Sequence, residues 1–152
     1  MDVREYQPTD HAEWLRMRRA LFTSITADDE TADAAEWLAR PDAVVLVAVR
    51  PMGDGLAGFA EVGTRPYADG CDTSPVAYLE GWYVDADVRR TGVGAALVRA
   101  AEAWARRHGH REMASDALLD NTTSHRAHEA LGFTEVERAV RYRKSLDDSP
   151  AA

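Results

Sequence analysis

The sequence predicts a single domain of the mixed α/β or α+β class. Apolar runs of strand length recur, most clearly "AVVLVAV" (43–49) and "VAYLEGWYV" (76–84). A helical stripe runs through Val93, Leu97, Ala101 and Trp104 at i, i+4, i+8 and i+11. Strand-like and helix-like patterns interleave along 152 residues with no repeat, low-complexity tract or linker between them.

Taken in order, "DVREY" (2–6) alternates as a first strand, and "TDHAEWLRMRRALF" follows as a helix capped by Thr9 or Asp10. Trp14, Leu15, Met17, Ala20 and Leu21 fall on or near one face of that helix. A second helix is expected over 31–39, ended by Pro41. The run 43–49 is a buried strand, and "PMGDG" turns it back into "LAGFAEVGT" as a hairpin. Residues 65–75 form a polar loop, then 76–84 a strand with Gly81 at a bulge. A helix follows "RRTGVG", "REMASD" (111–116) is a short strand, and a helix runs from Asn121 or Thr122 to Leu131 with Gly132 at its C-terminal stop. "FTEVERAVRYRKS" is expected as a last strand or hairpin before a polar tail.

Composition narrows the class. The single cysteine, Cys71, excludes an intramolecular disulfide and argues against a cysteine-based zinc site. With no histidine near it in sequence, Cys71 reads as an inert thiol. No apolar run approaches the ~20 residues of a membrane span, and "MDVREYQPTD" resembles neither a secretory nor a transit peptide, so a cytoplasmic protein is expected. The net charge of −8 is uneven: 89–111 holds six arginines against Glu102, a local +5, which leaves −13 elsewhere. That pattern suits one anion-binding region on a body that attracts cations, although acidity also serves solubility. A nucleic-acid binder is disfavoured, because the basic residues are confined to that region.

The region opens with "DVRRTGVGAALV", two arginines and two glycines at the mouth of a helix. It lacks the Gly-Lys-Ser/Thr ending of a P-loop. It also has Leu97 where a dinucleotide fingerprint needs a small residue. What remains is an anion site in which glycines admit a ligand to the backbone, helix N–H groups point at it, and arginines add charge-assisted bonds.

"VDADVRRTGVGAALV" resembles the pyrophosphate-binding segment of the GCN5-related N-acetyltransferases (GNAT), Arg/Gln-x-x-Gly-x-Gly/Ala, and "DNTTSHRAHEALGF" is similar to that family's closing helix. The resemblance implies a GNAT domain over 1–146 with a polar tail, 147–152. It implies one mixed, mostly antiparallel, twisted sheet flanked by helices, with a V-shaped opening between the two central strands. Acetyl-CoA would lie in that opening, with no metal. Backbone groups of Trp82, Tyr83 and Val84 would meet the pantetheine arm. Arg89, Arg90, Thr91, Gly92, Val93, Gly94 and Ala95 would hold the pyrophosphate, and Asn121 would bond the pantetheine.

Within the family, "YADGCDTSPVAYLEGWYV", "REMASDALLDNTTSHRAHEALGF" and "ERAVRYRK" resemble the aminoglycoside 6'-N-acetyltransferases. The resemblance implies substrate contacts at Tyr67, Glu80, Asp116 and Glu137 and at an aromatic near the end of the first helix, here Phe22. The following "TSITADDE" departs from that branch. The chemistry agrees with it: acidic groups suit a polycation, and the attacking ammonium must lose a proton, for which Asp116 is the first candidate and Glu80 the second. Asp116 also reads as a cap or turn residue, Glu80 as a strand-face charge paired with an arginine, and Glu137 as a solvent-facing residue. His128 stands where many members carry the tyrosine that protonates the leaving thiolate, or else it is a packing residue. His125 and His128 lack a third metal ligand in the sequence around them. Rival readings are an acetyltransferase for another amine (polyamine, peptide N-terminus or lysine) and a non-catalytic acyl-CoA-binding module. The resemblance also implies a homodimer, since relatives in the branch commonly dimerise.

Overall fold

The computed structural model describes residues 1–23 and 26–147. Ser24 and Ile25 of the divergent segment, and 148–152 of the expected tail, lie outside the described residues. Strands β1 (Asp2–Glu5), β2 (Val44–Val49), β3 (Leu56–Arg65), β4 (Val76–Val84) and β5 (Met113–Ser115) form one sheet in sequential order. The first four are antiparallel, and β5 joins β4 in parallel.

Helix α1 (His11–Leu21) and helix α2 (Ala27–Ala39) connect β1 to β2 and close one face of the sheet, where Trp14, Met17 and Ala34 meet Val45, Val47, Leu56 and Phe59. Helix α3 (Val93–Arg107) is the crossover that parallel pairing of β4 with β5 requires. Its expected stripe, joined by Val98 and Ala105, packs on Leu46, Ala60, Val62 and Leu79 of the other face. Helix α4 (Thr122–Ala130) leads into Leu131 and Phe133, which cover the end of that core.

Three expectations change. Helix α2 starts four residues before the expected 31, because Thr26 caps it by accepting the Asp29 N–H at 3.3 Å and acidic residues fill its first turn. On α1, Ala20 is exposed and the core position goes to Arg18, only 2% exposed. Arg18 is tolerated there because Glu61, 1% exposed on β3, accepts its Nε at 2.5 Å and its Nη2 at 3.1 Å. Trp14 Nε1 also donates to Glu61, and Asp33 accepts from Arg18 at 3.0 Å. Finally, no strand follows β5 among the described residues. The segment after Phe133 pairs with no strand among the described residues and is exposed, with Val136, Val140, Tyr142 and Leu146 all turned to solvent.

The bulge expected at Gly81 is present. Glu61 pairs with Gly81 and Val62 with Leu79, so Glu80 is the extra residue. A side chain at Gly81 would press on Glu61 Oε2, Phe22 and Phe59 at 3.3–3.4 Å. Glu61→Ala should cost about 3–5 kcal/mol by leaving Arg18 buried without its main partner. A urea titration measures this, and a loss below ~1 kcal/mol would mean that Asp33 alone satisfies the guanidinium.

Candidate active site

Strands β4 and β5 pair only through Ala77–Met113, Tyr78–Ala114 and Leu79–Ser115. Beyond that point β4 runs on to Val84, paired with β3 alone. The other edge of Glu80, Gly81, Trp82, Tyr83 and Val84 therefore opens on a cleft, the V that the family resemblance implies, although β5 is here the last strand of the sheet rather than a central one. Because side chains alternate across a strand, Tyr78 and Asp116 belong to the α1/α2 side of this cleft. Leu79, Ser115 and Trp82 belong to the α3/α4 side.

The segment between β4 and α3 has the shape of an anion cradle. Arg90 (φ 64°) and Gly92 (φ 94°) both adopt the left-handed conformation. Gly92 is the N-cap of α3 and no side chain caps it, which leaves the N–H groups of Val93, Gly94 and Ala95 without helical acceptors. Around Gly92 the space is open, so glycine is needed there for its conformation. Gly94 has a different reason: a Cβ would lie 3.2 Å from the Trp82 indole. Two expected contacts are already engaged within the loop. The Thr91 hydroxyl donates to the Val88 carbonyl at 2.5 Å, and Arg89 Nε donates to the Val84 carbonyl at 3.0 Å. Arg89 and Arg90 are otherwise exposed beside the cradle.

The base of this loop is held by charge. Asp85 accepts from Arg16 at 2.9 and 3.0 Å and from Arg50 at 2.9 Å, and Arg50 also grips Asp87. Burial pushes the Asp85 carboxyl upward, but these guanidiniums prevail and hold it below its usual value.

On the α1/α2 side, Tyr78 donates its hydroxyl to Asp116 Oδ2 at 2.6 Å. Burial, reinforced by Asp116, raises the Tyr78 pKa far above neutrality, so this phenol stays a donor. Asp116 is exposed, and no cap contact holds it. Glu80 is bound by Arg65 through two bonds of 2.8 and 2.9 Å, the pairing with an arginine weighed in the sequence. Phe22 ends α1 next to Gly81, with the Arg18 guanidinium 5.1 Å from its ring. Tyr67 is exposed and its hydroxyl donates to Asp69. That bond is the main cause of its raised pKa, and Glu137 contributes to the rise. Val136 abuts Gly70, which brings Glu137 toward the Tyr67 loop.

On the α3/α4 side, His128 touches Trp82 and Phe133 edge-on at 5.3 and 5.2 Å. Its Nδ1 faces the Ser124 carbonyl at 2.7 Å, which can only accept, so Nδ1 carries a hydrogen. Nε2 is then the nitrogen left with a free lone pair in the neutral ring, 2.8 Å from Ser115 Oγ. With His128 neutral, Ser115 donates to Nε2. With His128 charged, Nε2 donates to Ser115, whose hydroxyl can turn to the Leu79 carbonyl at 3.2 Å. His125 faces the Leu118 carbonyl instead, so the two histidines have different partners. Asn121 caps α4 by accepting the Ser124 N–H at 3.1 Å, which leaves its amide N–H₂ for a ligand.

Tyr78, Arg65 and Ser115 were missed in the sequence because each matters only through a cross-strand neighbour. The parallel register that pairs Tyr78 with Ala114 also brings Asp116 within reach of the phenol. A pyrophosphate-bearing thioester fits the cleft. The cradle offers unpaired N–H groups and arginines, and the buried Trp82 Nε1 has no acceptor among the described residues.

A family model described as the acetyltransferase (GNAT) family matches residues 11–133. A Klebsiella aerogenes protein named aminoglycoside N(6')-acetyltransferase type 1 is 51% identical over 148 residues, covering 95% of this chain and 96% of that protein. A protein of the same name from Stenotrophomonas maltophilia is 40% identical over 148 residues, covering 97% and 95%. Among solved structures, the aminoglycoside antibiotic 6'-N-acetyltransferase AAC(6')-IG of Acinetobacter haemolyticus aligns at TM-score 0.89 and 36% identity, over 97% of this chain and 100% of that one. AAC(6')-Iy in complex with the bisubstrate analogue CoA-S-monomethyl-acetylneamine aligns at TM-score 0.86 and 39% identity, over 95% and 97%.

Replacing Gly92 by alanine forces a left-handed alanine at the cradle, a strain of about 1–2 kcal/mol. The free loop is expected to relax out of that turn, so that coenzyme A must restore it on binding and its affinity falls roughly tenfold. Calorimetric titration reads it, and unchanged affinity would show that the cradle does not hold the anion.

Proposed function

The chain belongs to the GNAT acetyltransferase family, and from that premise we infer that it transfers the acetyl group of acetyl-CoA to the 6'-amine of aminoglycosides. The observation that carries this reading is the division of the cleft. An uncapped helix start with Arg89 and Arg90 lies at one end, and the carboxylates Glu80 and Asp116 lie along the α1/α2 side.

Bound acetyl-CoA supplies the thioester whose acetyl carbon the amine attacks. Arg89, Arg90 and the N–H groups of Val93, Gly94 and Ala95 bind its pyrophosphate, with Thr91 and Gly92 shaping the turn. The free edge of Trp82, Tyr83 and Val84 and the Asn121 amide receive the pantetheine. Direct attack in a ternary complex needs a neutral amine, and Asp116 takes the ammonium proton, directly or through water. Tyr78 supports that role by fixing Oδ2, which leaves Oδ1 toward the acceptor. Glu80, with both oxygens on Arg65, anchors a cation more readily than it exchanges a proton. Tyr67 and Glu137 border the acceptor on the loop side, and Phe22 gives it an apolar face. His128, when protonated at both nitrogens, gives the Nε2 proton to the departing sulfur, with Ser115 as its hydroxyl partner, and the last proton of the acetylated nitrogen leaves to water.

The protein acts in the cytoplasm in this reading, where acetyl-CoA is available, and no helix among the described residues is long and apolar enough to cross a membrane. It is a homodimer. Support comes from the exposed segment in which Val136, Val140, Tyr142 and Leu146 share one parity, and from the outer edge of β5, which pairs with no strand among the described residues. A segment of that kind gains a partner when it lies along another copy's sheet.

Asp116→Asn is expected to lower kcat about 100-fold or more with acetyl-CoA affinity unchanged. Release of CoA in the presence of a panel of aminoglycosides measures it. No release from the wild-type protein across the panel would overturn the reading, and faster turnover of polyamines or peptides would replace the substrate. Deleting 134–152 should yield monomers in sedimentation velocity.

A further inference from the structure

Arg65 lies on the acceptor side of the cleft. Its Nε and Nη2 are 2.8 and 2.9 Å from the two oxygens of Glu80. Its guanidinium carbon is 3.4 Å from the centre of the Tyr78 ring, and the Tyr78 hydroxyl donates to Asp116 at 2.6 Å. One fixed cation therefore stands between the two carboxylates that the proposed function assigns to a cationic acceptor.

We propose that Arg65 is an internal stand-in for a substrate ammonium, and that it sets a charge threshold for the acceptor. The inference rests on the acceptor reading above. In the free enzyme Arg65 neutralises Glu80, and an acceptor must displace it to gain that carboxylate. A charged competitor can reach the pair, because Arg65 and Glu80 are both partly exposed and water screens their attraction. The guanidinium can keep its place on the Tyr78 face after release, since stacking does not require Glu80.

The threshold follows from the chemistry at Asp116. The reacting amine has to be neutral when it attacks, so an acceptor with one amine has no remaining charge with which to compete against Arg65. A polyamine sugar has ammonium groups to spare and can fill Glu80 while its 6'-amine is deprotonated beside Asp116. Glu80, Asp116 and Arg65 together carry −1, and removing the cation makes the acceptor side −2, which attracts any amine more strongly.

Arg65→Met keeps length and apolar contact with Tyr78 but removes the charge. Steady-state kinetics should show the neamine KM falling about fivefold, with kcat within about twofold and the acetyl-CoA KM unchanged. For a monoamine, methyl 6-amino-6-deoxyglucoside, which has no spare ammonium for the freed Glu80, kcat/KM should change less, so that preference for neamine widens several-fold. Arg65→Lys, which retains the charge, should keep most of the wild-type preference. A higher neamine KM, a collapse of kcat at unchanged thermal stability, or an unchanged preference would overturn the proposal. Glu80→Gln separates the two readings. An unchanged neamine KM in that variant sinks the acceptor reading, whereas a raised KM beside an inert Arg65→Met sinks only the inference about Arg65.

Discussion

The site depends on β4 losing its second partner after Leu79. A strand inside a sheet has both edges satisfied, and an open edge invites another chain. Here the three pairs between β4 and β5 end at Ser115, and the free edge of Glu80–Val84 faces a cleft rather than solvent at the rim of the sheet. Trp82 fills the α3/α4 side of that opening, with its indole against Gly94 and its ring edge-on to His128. The same divergence separates two chemical surfaces. Alternation along β4 and β5 sends Ser115 to the His128 side and Asp116 to the Tyr78 side, although the two residues are adjacent in sequence.

Charge holds this geometry in place. Arg18, buried against Glu61 and Asp33, fixes α1 to β3 and supports Phe22 beside the bulge. Arg16 and Arg50 converge on Asp85, where β4 ends and the anion loop begins. Seventeen arginines and one lysine make sense in this setting. A planar guanidinium can hold two carboxylate oxygens, or two different carboxylates, in a fixed arrangement that a flexible ammonium does not impose. The acidic excess of the chain is thus partly structural, and what remains open at the acceptor side is a small share of it.

Much of the fold was legible in the sequence. Strand β4 spans the expected residues, and the stripe of α3 is buried as its period requires. The anion loop could be read because its glycines and arginines are contiguous. The reason for each glycine could not. Both fit close approach to a phosphate, yet Gly92 serves a left-handed turn and Gly94 makes room for an indole twelve residues away. Arg18 was equally hidden, since a charge on a helix reads as solvent-facing until its buried carboxylate is known. The segment after Phe133 alternates like a strand, but alternation alone does not lay it along an open edge.

The sequence by itself determined the class of fold, the order of its elements as far as α4 and the chemistry of the loop at the start of α3. Those properties are local, set by periodicity and by residues that lie side by side. Tertiary structure decided which groups share the cleft. Tyr78 meets Asp116, Arg65 meets Glu80 and Ser115 meets His128 only through cross-strand register, the bulge at Glu80 and the packing of α4. A one-residue slip in the β4–β5 register would reverse those faces, because side chains alternate with a period of two.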